Sequence, residues 1–437
     1  PMYTLMIALF VLGYAAIAFE HTIKIDKAAS ALITGVVLWA VYVLSGADIH
    51  DTEHHLLEHL SEIASILFFL LGAMTIVEVV DAHEGFSVIT DRIRTTKPVV
   101  LLWILAWLTF FMSAILDNLT TSIVMVSLLR KLIKDQNMRW LFGGVIVIAA
   151  NSGGAWSPIG DVTTTMLWIG GYVSTGSLIS FIFLPSVAVL LAPLLYLTFT
   201  LKGSIERPDE AVSHSTHDAV SQRDKMTALL VGVGGLLFVP VFKTVTHLPP
   251  FMGMMLSLGI MWVVTDLLHR RKTAETRSEF GVLGVIRRID TPSVLFFLGI
   301  LLAVASLQTA GQLRDLAGVL DTSIGTTTES GIYLVGGIIG LLSAIVDNVP
   351  LVAAAMGMYD MVPGTFFAQD DFFWKYLAFT AGTGGSVLII GSAAGVAVMG
   401  LERIPFGWYL KRISFLALLG YFAGIAVYAI QRWIIFG

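Results

Sequence analysis

Of 437 residues, 56% are hydrophobic and only 13% are charged, and the mean hydropathy is +0.84, values that exclude a water-soluble globular domain. The formal charge of −5 comes with no basic tract, which argues against a nucleic-acid partner, and the lack of cysteine removes disulfide and thiol chemistry. The first residue is Pro1 rather than Met, which leaves room for a removed leading segment.

Several apolar runs reach the roughly 20 residues that cross a bilayer as a helix. In chain order, the first crossings fall at 3–19, 28–45 and 63–80. Two shorter apolar pieces follow, 99–116 and 119–129, separated by Asp117-Asn118 and ended by Arg130 and Lys131. Neither is comfortably long enough to cross, so 99–130 is predicted to be a re-entrant hairpin with Asp117-Asn118 at its tip. Residues 139–170 read as one helix interrupted at 151–161, and 178–201 as a further crossing. The polar stretch 202–225, with Pro208, serines and histidines, reads as a linker. The order then returns: crossings at 226–245, 251–267 and 292–309, a hairpin at 330–362, a broken helix at 373–400 and a last helix at 407–436.

The return extends to the residues. Ser113-Ala114-Ile115-Leu116-Asp117-Asn118 comes back 230 positions later as Ser343-Ala344-Ile345-Val346-Asp347-Asn348. Asn151-Ser152-Gly153-Gly154-Ala155, running to Gly160-Asp161, aligns 231 positions on with Gly382-Thr383-Gly384-Gly385-Ser386, running to Gly391-Ser392. Two matches at nearly one offset indicate an internal duplication. The predicted fold class is therefore an all-α polytopic membrane protein of two inverted-topology repeats, each with five crossings, one re-entrant hairpin and one broken helix. The inversion follows from the odd number of crossings, and charge supports it. The loops 20–27, 81–98, 130–139, 202–225, 268–291 and 401–412 hold 22 of the 26 Lys and Arg, which places them together on the cytoplasmic side. The other face is acidic, with Asp48, Asp51, Glu53, Glu58, Glu62, Asp370 and Asp371, and both termini are predicted outside (periplasmic). Residues 83–97 and 311–329, just before the two hairpins, have patterns that suit helices lying in the interface, with a plain connecting loop as the alternative.

An Asp at each tip is costly, since a membrane carboxylate costs ~2.5–3.5 kcal/mol or more on insertion scales. Asp117 and Asp347, with Asn118 and Asn348, can cap the following helix arm, yet Ser or Thr would cap as well without the charge. Duplicated breaks in membrane helices mark the binding site of a secondary transporter. The breaks at Asn151-Ser152-Gly153-Gly154 and Gly382-Thr383-Gly384-Gly385 would bare carbonyl oxygens, which together with Asn, Ser and Thr oxygens suit a small hard cation; close helix packing by small residues is the competing reading. Asp161 ends the first break where Ser392 ends the second. If it approaches Asp117, the two carboxylates form a site that holds either a proton or a metal cation; alternatively Asp161 caps the half helix after it. Thr120, Thr121, Ser113, Ser157 and Ser343 stand close by in sequence, and Glu78 is either a further site acid or pairs with a lysine or arginine near the interface. His50, His54, His55 and His59 have i, i+4 spacings that could hold a metal, against the plainer reading of a solvated acidic loop.

Taken together, Phe68-Phe69-Leu70-Leu71-Gly72-Ala73-Met74-Thr75-Ile76-Val77-Glu78, Asp81-Ala82-His83, the two Asp-Asn tips and Asn151-Ser152-Gly153-Gly154-Ala155-Trp156-Ser157-Pro158-Ile159-Gly160-Asp161 resemble NhaD-type sodium/proton antiporters of the ion transporter superfamily, over nearly the whole chain. The resemblance implies exchange of Na+ or Li+ for H+ in a bacterial inner membrane, no cofactor, no enzyme activity and a homodimer. It implies scaffold helices at 3–98 and 226–329 and a transport domain of 99–201 and 330–437 that slides like an elevator. The ion-binding positions are then Asp117, Asn118, Thr120, Thr121, Asn151, Ser152, Gly153 and Asp161 in one half, and Asp347, Asn348, Thr383, Gly384 and Ser392 in the other. Na+ is expected at Asp117, Asn118, Asn151, Asp347 and Asn348. The alternative within the superfamily is a sodium-coupled carrier of a small anion, carboxylate or arsenite. An intramembrane aspartyl hydrolase stands further off.

The topology is testable because no native thiol interferes. An impermeant maleimide added to intact cells is expected to label cysteine introduced at Thr52 and not at Ser213 or Thr276. Labelling at Ser213→Cys contradicts the inverted arrangement.

Overall fold

A computed structural model describes residues 2–208, 220–270, 272–273, 279–345 and 347–436. Ser213, Thr276 and Val346 lie outside the described residues, as does the 209–219 part of the 202–225 linker. Among the described residues every long element is a helix, and eight helices are long and apolar enough to cross a membrane.

Most of the helices begin where a short polar side chain accepts from an orphan N–H group or a proline in the first turn removes one. After α1 (Met2–Ala18), Asp26 caps α2 (Lys27–Leu44) and Asp48 caps α3 (Ile49–Ala82). Pro98 opens α4 (Pro98–Leu116), Asp117 caps α5 (Asn118–Leu132) and Asp135 caps α6 (Gln136–Ala155). Asp161 caps α7 (Val162–Ile169) and Ser174 caps α8 (Thr175–Thr200). The second half runs α9 (Gln222–Thr246), α10 (Pro250–His269), α11 (Thr291–Thr309) and α12 (Gln312–Ile324). It ends with α13 (Glu329–Leu342), α14 (Asn348–Met358), α15 (Phe372–Gly384), α16 (Ala393–Glu402) and α17 (Ser414–Phe436).

Five expectations need correcting. The segment 46–62 is not a loop: with no Gly or Pro between Gly46 and Gly72 and a good cap at Asp48, the helix starts at Ile49 and runs through to Ala82. Thr52 is consequently buried, and Glu53, exposed on the same turn, is the better labelling position. Residues 83–97 hold only one helical turn, Ser87–Thr90, whereas 311–329 does form the amphipathic α12. The piece 99–116 lies in a helix, α4, that is by itself long and apolar enough to cross. Lastly, Asn151–Ala155, with Thr383 and Gly384, remain helical, and the chain unwinds only after them, at 156–161 and 385–392. The run 407–436 is also divided, by Ile413, into a short helix Phe406–Arg412 and α17.

The packing pairs of one half recur in the other. α1 lies along α2 as α9 lies along α10, and α2 meets α11 as α10 meets α3. α4 packs on α6 as α13 packs on α15, and α5 meets α16 as α14 meets α7. Small residues make the closest of these contacts possible. A Cβ at Gly153 would lie 2.2 Å from the Phe110 carbonyl oxygen on α4, and one at Gly384 would lie 1.8 Å from the Gly340 carbonyl oxygen on α13. Here the packing reading of the glycines applies. Across the halves, buried Glu402 accepts from Arg130 Nε (2.7 Å) and Arg139 Nε (3.0 Å), tying α5 and α6 to α16. At the opposite end Arg432 Nη2 reaches Glu329 Oε1 at 2.8 Å.

Gly153→Ala and Gly384→Ala force backbone apart and are each expected to cost ~1–3 kcal/mol. Gly259, in α10, has nothing within 4 Å of such a Cβ and serves as the control. Thermal unfolding in detergent checks this: both substitutions should lower the melting temperature and Gly259→Ala should not.

Candidate functional site

The two breaks and the two tips converge. Asp117 links α4 to α5 with φ 102°, a left-handed conformation that costs a non-glycine residue ~1–3 kcal/mol. The turn is held because Oδ1 accepts from Thr120 N (2.7 Å) and Oδ2 from Thr120 Oγ1 (2.8 Å). Ser113 Oγ donates to the Ala150 carbonyl (2.5 Å), and in the second copy Ser343 Oγ donates to the Ala381 carbonyl (2.9 Å). Ser157 Oγ donates to the Ala114 carbonyl at 2.5 Å. These three serines fasten each tip to the broken helix beside it.

Asp161 is the centre of the arrangement. Its carboxylate accepts four hydrogen bonds: Oδ1 from Thr163 N (2.9 Å), Thr163 Oγ1 (2.9 Å) and Asn348 Nδ2 (3.5 Å), and Oδ2 from Asn118 Nδ2 (2.8 Å). Asn118 and Asn348 come from opposite tips. Asn118 Nδ2 also donates to Asn151 Oδ1 (3.1 Å), and Asn151 Nδ2 donates to Ser386 Oγ and Ser392 Oγ, each at 2.9 Å. Ser392 Oγ in turn accepts from Gly395 N and caps α16. A continuous buried network therefore runs from the first tip through both breaks.

Other expected residues stand apart from it. Ser152 Oγ donates to the Ile148 carbonyl and Thr383 Oγ1 to the Phe379 carbonyl, so each hydroxyl is spent within its own helix. Gly153 and Gly384 serve packing. The Thr121 hydroxyl is buried without a partner among the described residues. Of the outer histidines, His54 and His55 bring ligand atoms together with Glu58, all exposed, while His59 Nε2 lies 3.2 Å from Thr309 Oγ1.

Asp117, Asn118, Thr120, Asp161, Asp347 and Asn348 line one cavity of about 70 Å³. That is room for a cation with one or two waters, given about 30 Å³ per water. It shares Lys27, Leu119, Thr120 and Ser293 with a larger cavity of about 450 Å³, whose walls include Glu20, Asp26, Glu78, Asp81 and Asp290 alongside Arg288. Glu78 thus lines the larger cavity. An acid-lined approach raises the local concentration of cations. Thr163, Ser386 and Lys27 escaped the sequence reading. Ser386 carries no signal beyond its place in the second break. Lys27 was counted with a cytoplasmic loop, and its side chain instead enters the cavity, with Nζ 3.8 Å from Asp347 Oδ2.

Fold and site together define a polytopic helical membrane carrier with a small, oxygen-rich site. The profile of the family described as citrate transporters matches residues 14–382. Sodium/proton antiporter 1 of Arabidopsis thaliana is 49% identical over 425 residues, which is 97% of this chain and 71% of that one. Sodium/proton antiporter 2 of the same plant is 47% identical over 97% of this chain and 98% of its own length. The Na(+)/H(+) antiporter NhaD of Vibrio cholerae is 30% identical over 96% of this chain and 90% of its own. The chain belongs to the NhaD-type sodium/proton antiporter family of the ion transporter superfamily.

Asn151→Ala leaves a buried amide and two buried hydroxyls without their partner, at ~1–3 kcal/mol for an unsatisfied group. The expected outcome is a lower melting temperature in detergent. Ser152→Ala, which removes a hydroxyl bonded only within its helix, should change it less.

Proposed function

We propose that this chain exchanges Na+ or Li+ for H+ across a membrane, with Asp117 and Asp347 as the groups that carry the exchanged ion. The observation that supports this most is the convergence of three carboxylates, Asp117, Asp161 and Asp347, on one cavity of about 70 Å³. Asp161 accepts from four donors, three at Oδ1 and one at Oδ2, while the two tip carboxylates accept from fewer. A carboxylate has about four lone-pair sites, so Asp117 and Asp347 keep capacity for a ligand. Carboxylate and amide oxygens suit a hard monovalent cation. A proton competes for the same oxygens, so binding of one expels the other. The names of the relatives agree with this chemistry. A small anion would meet three carboxylates in the same cavity, which disfavours the anion-carrier alternative.

For the transport cycle we infer a scaffold of 3–98 and 226–329 and a transport domain of 99–201 and 330–437, arranged as inverted repeats. Support comes from packing: α1, α2, α3, α9, α10 and α11 associate chiefly with one another, as do α4 to α8 with α15 to α17. The loops rich in Lys and Arg border the larger cavity at Glu20, Asp26, Asp81 and Asp290, which supports a reading in which this cavity faces the cytoplasmic side. Elevator motion, a homodimer formed by the scaffold, external termini and a bacterial inner membrane complete the reading. The relatives come from a plant as well as from bacteria, so the kind of membrane rests on the resemblance.

Proteoliposomes with an internal pH dye test the exchange. A pulse of Na+ or Li+ is expected to move protons, and a pulse of citrate is not. Asp117→Asn and Asp347→Asn keep a capping side chain and lose the charge, and each should abolish the response while the protein stays in the membrane. Near-normal exchange in both variants would reduce the tips to helix caps.

A further inference from the structure

The two tips repeat in sequence but not in the donors that meet them. Asp117 is held by the backbone N–H and the hydroxyl of Thr120. The position matching Thr120 in the second copy is Pro350, which has neither an N–H nor a hydroxyl. Asp347 accepts from the backbone Val349 N at 3.2 Å. The missing positive partner arrives from another element. Lys27, the first residue of α2, directs Nζ to 3.8 Å from Asp347 Oδ2 and to 4.6 Å from the centre of the Phe296 ring on α11. Its backbone N–H donates to Glu20 Oε2 at 3.1 Å, which anchors the base of the side chain. The charge is thus borne by one set of helices and delivered to a tip that belongs to the other.

We propose that Lys27 is a tethered counter-cation that holds the second tip while Asp347 is empty, and that the transported ion releases the tip by taking the place of the ammonium. The proposal rests on the exchange reading and adds a coupling rule to it. An exchanger loses its gradient if it crosses empty. An empty Asp347 is anionic and attracts Lys27, which pins the tip to α2. An Asp347 that holds Na+ or a proton is neutral and has no hold on Lys27. The geometry suits such a switch. At 3.8 Å the pair is longer than a charge-assisted hydrogen bond, so Coulomb attraction rather than a fixed bond joins it and a small cation can displace it. Both side chains are partly shielded, at 27% and 19% exposure, which makes the attraction stronger than that of a surface pair. Once displaced, the ammonium keeps the face of Phe296 and the carboxylates of Glu20, Asp26 and Asp290 in the adjoining cavity.

The test uses the purified full chain in proteoliposomes, following sodium and proton fluxes in the same sample. Wild type is expected to move the two ions in a fixed ratio. Lys27→Met keeps the length of the side chain and removes its charge. It should retain Na+/Na+ exchange, which never needs the empty carrier to cross. It should also lower the apparent KM for Na+ by roughly five-fold, the lower end of a coupling between competing ligands, and release Na+ with fewer protons returned. Lys27→Arg should keep the wild-type ratio, and Lys24→Met, an exposed neighbour, should change nothing. If Lys27→Met fails to reconstitute, Lys27→Gln is read in the same way, with Na+-dependent thermal stabilisation in detergent as the binding measure. A wild-type KM and an unchanged proton-to-sodium ratio in the charge-free variant overturn the proposal. So does loss of coupling in Lys27→Arg equal to that in Lys27→Met. A wild-type protein that moves no protons with Na+ overturns the exchange reading instead.

Discussion

A carboxylate withdrawn from water has to be met by donors, and the donors around Asp161 bring the two halves of the chain to one point. Thr163 supplies two of them locally and would be enough to cap α7. The other two, Asn118 and Asn348, come from tips 230 residues apart. Burying this charge without them would cost several kcal/mol. Their presence sets where each tip can sit, and hence where the carboxylates of Asp117 and Asp347 face. The rest of the site depends on that placement.

Close backbone contact keeps the placement fixed. At Gly153 and Gly384 helices approach until no side chain fits, which brings Ser113 and Ser343 within reach of the Ala150 and Ala381 carbonyls. Each tip is then tied to its broken helix by a hydrogen bond within two turns of the break. A cavity of about 70 Å³ tolerates little displacement of the oxygens that line it, and a small hard ion would demand short, well-placed ligands. Gly153 and Gly384, read in the sequence as ligand donors, are also points of closest backbone contact.

Much of this was legible because duplication and charge leave marks that apolar packing does not. The tips, the two breaks, Asp161 and the order of elements all follow from matched strings and misplaced charges. The boundaries were less legible. A polar segment such as 49–62 has no apolar period of its own, and its helical state comes from continuity with the apolar run after it. Asn151 through Ala155 stay helical because tertiary packing offsets the poor helix propensity of Gly and Asn. Lys27 misled the charge count for a simple reason. A lysine at the start of a helix reads as a loop cation, and a long side chain can turn back into the protein, as this one does toward Asp347.

The departures from symmetry follow from the same convergence. When two copies of a segment meet at one cavity, a residue and its counterpart compete for a single space. Asn151 is matched by Gly382, where a Cβ would already lie 3.2 Å from Ala155 Cβ and 3.9 Å from Asp161 Oδ2. A second asparagine there would fill the room that the Asp161 carboxylate occupies. Asp161 is matched by Ser392, whose hydroxyl joins the network through Asn151. A second aspartate at that place would set another negative charge against the first in a buried region, with the nearby amide donors already engaged. One carboxylate and one hydroxyl, one amide and one glycine, satisfy both volume and charge where identical pairs would not. The remaining difference, Thr120 against Pro350, takes local donors from the second tip and leaves Asp347 to a cation from a different helix. The sequence divergence of the two halves is in this sense a consequence of their sharing a site.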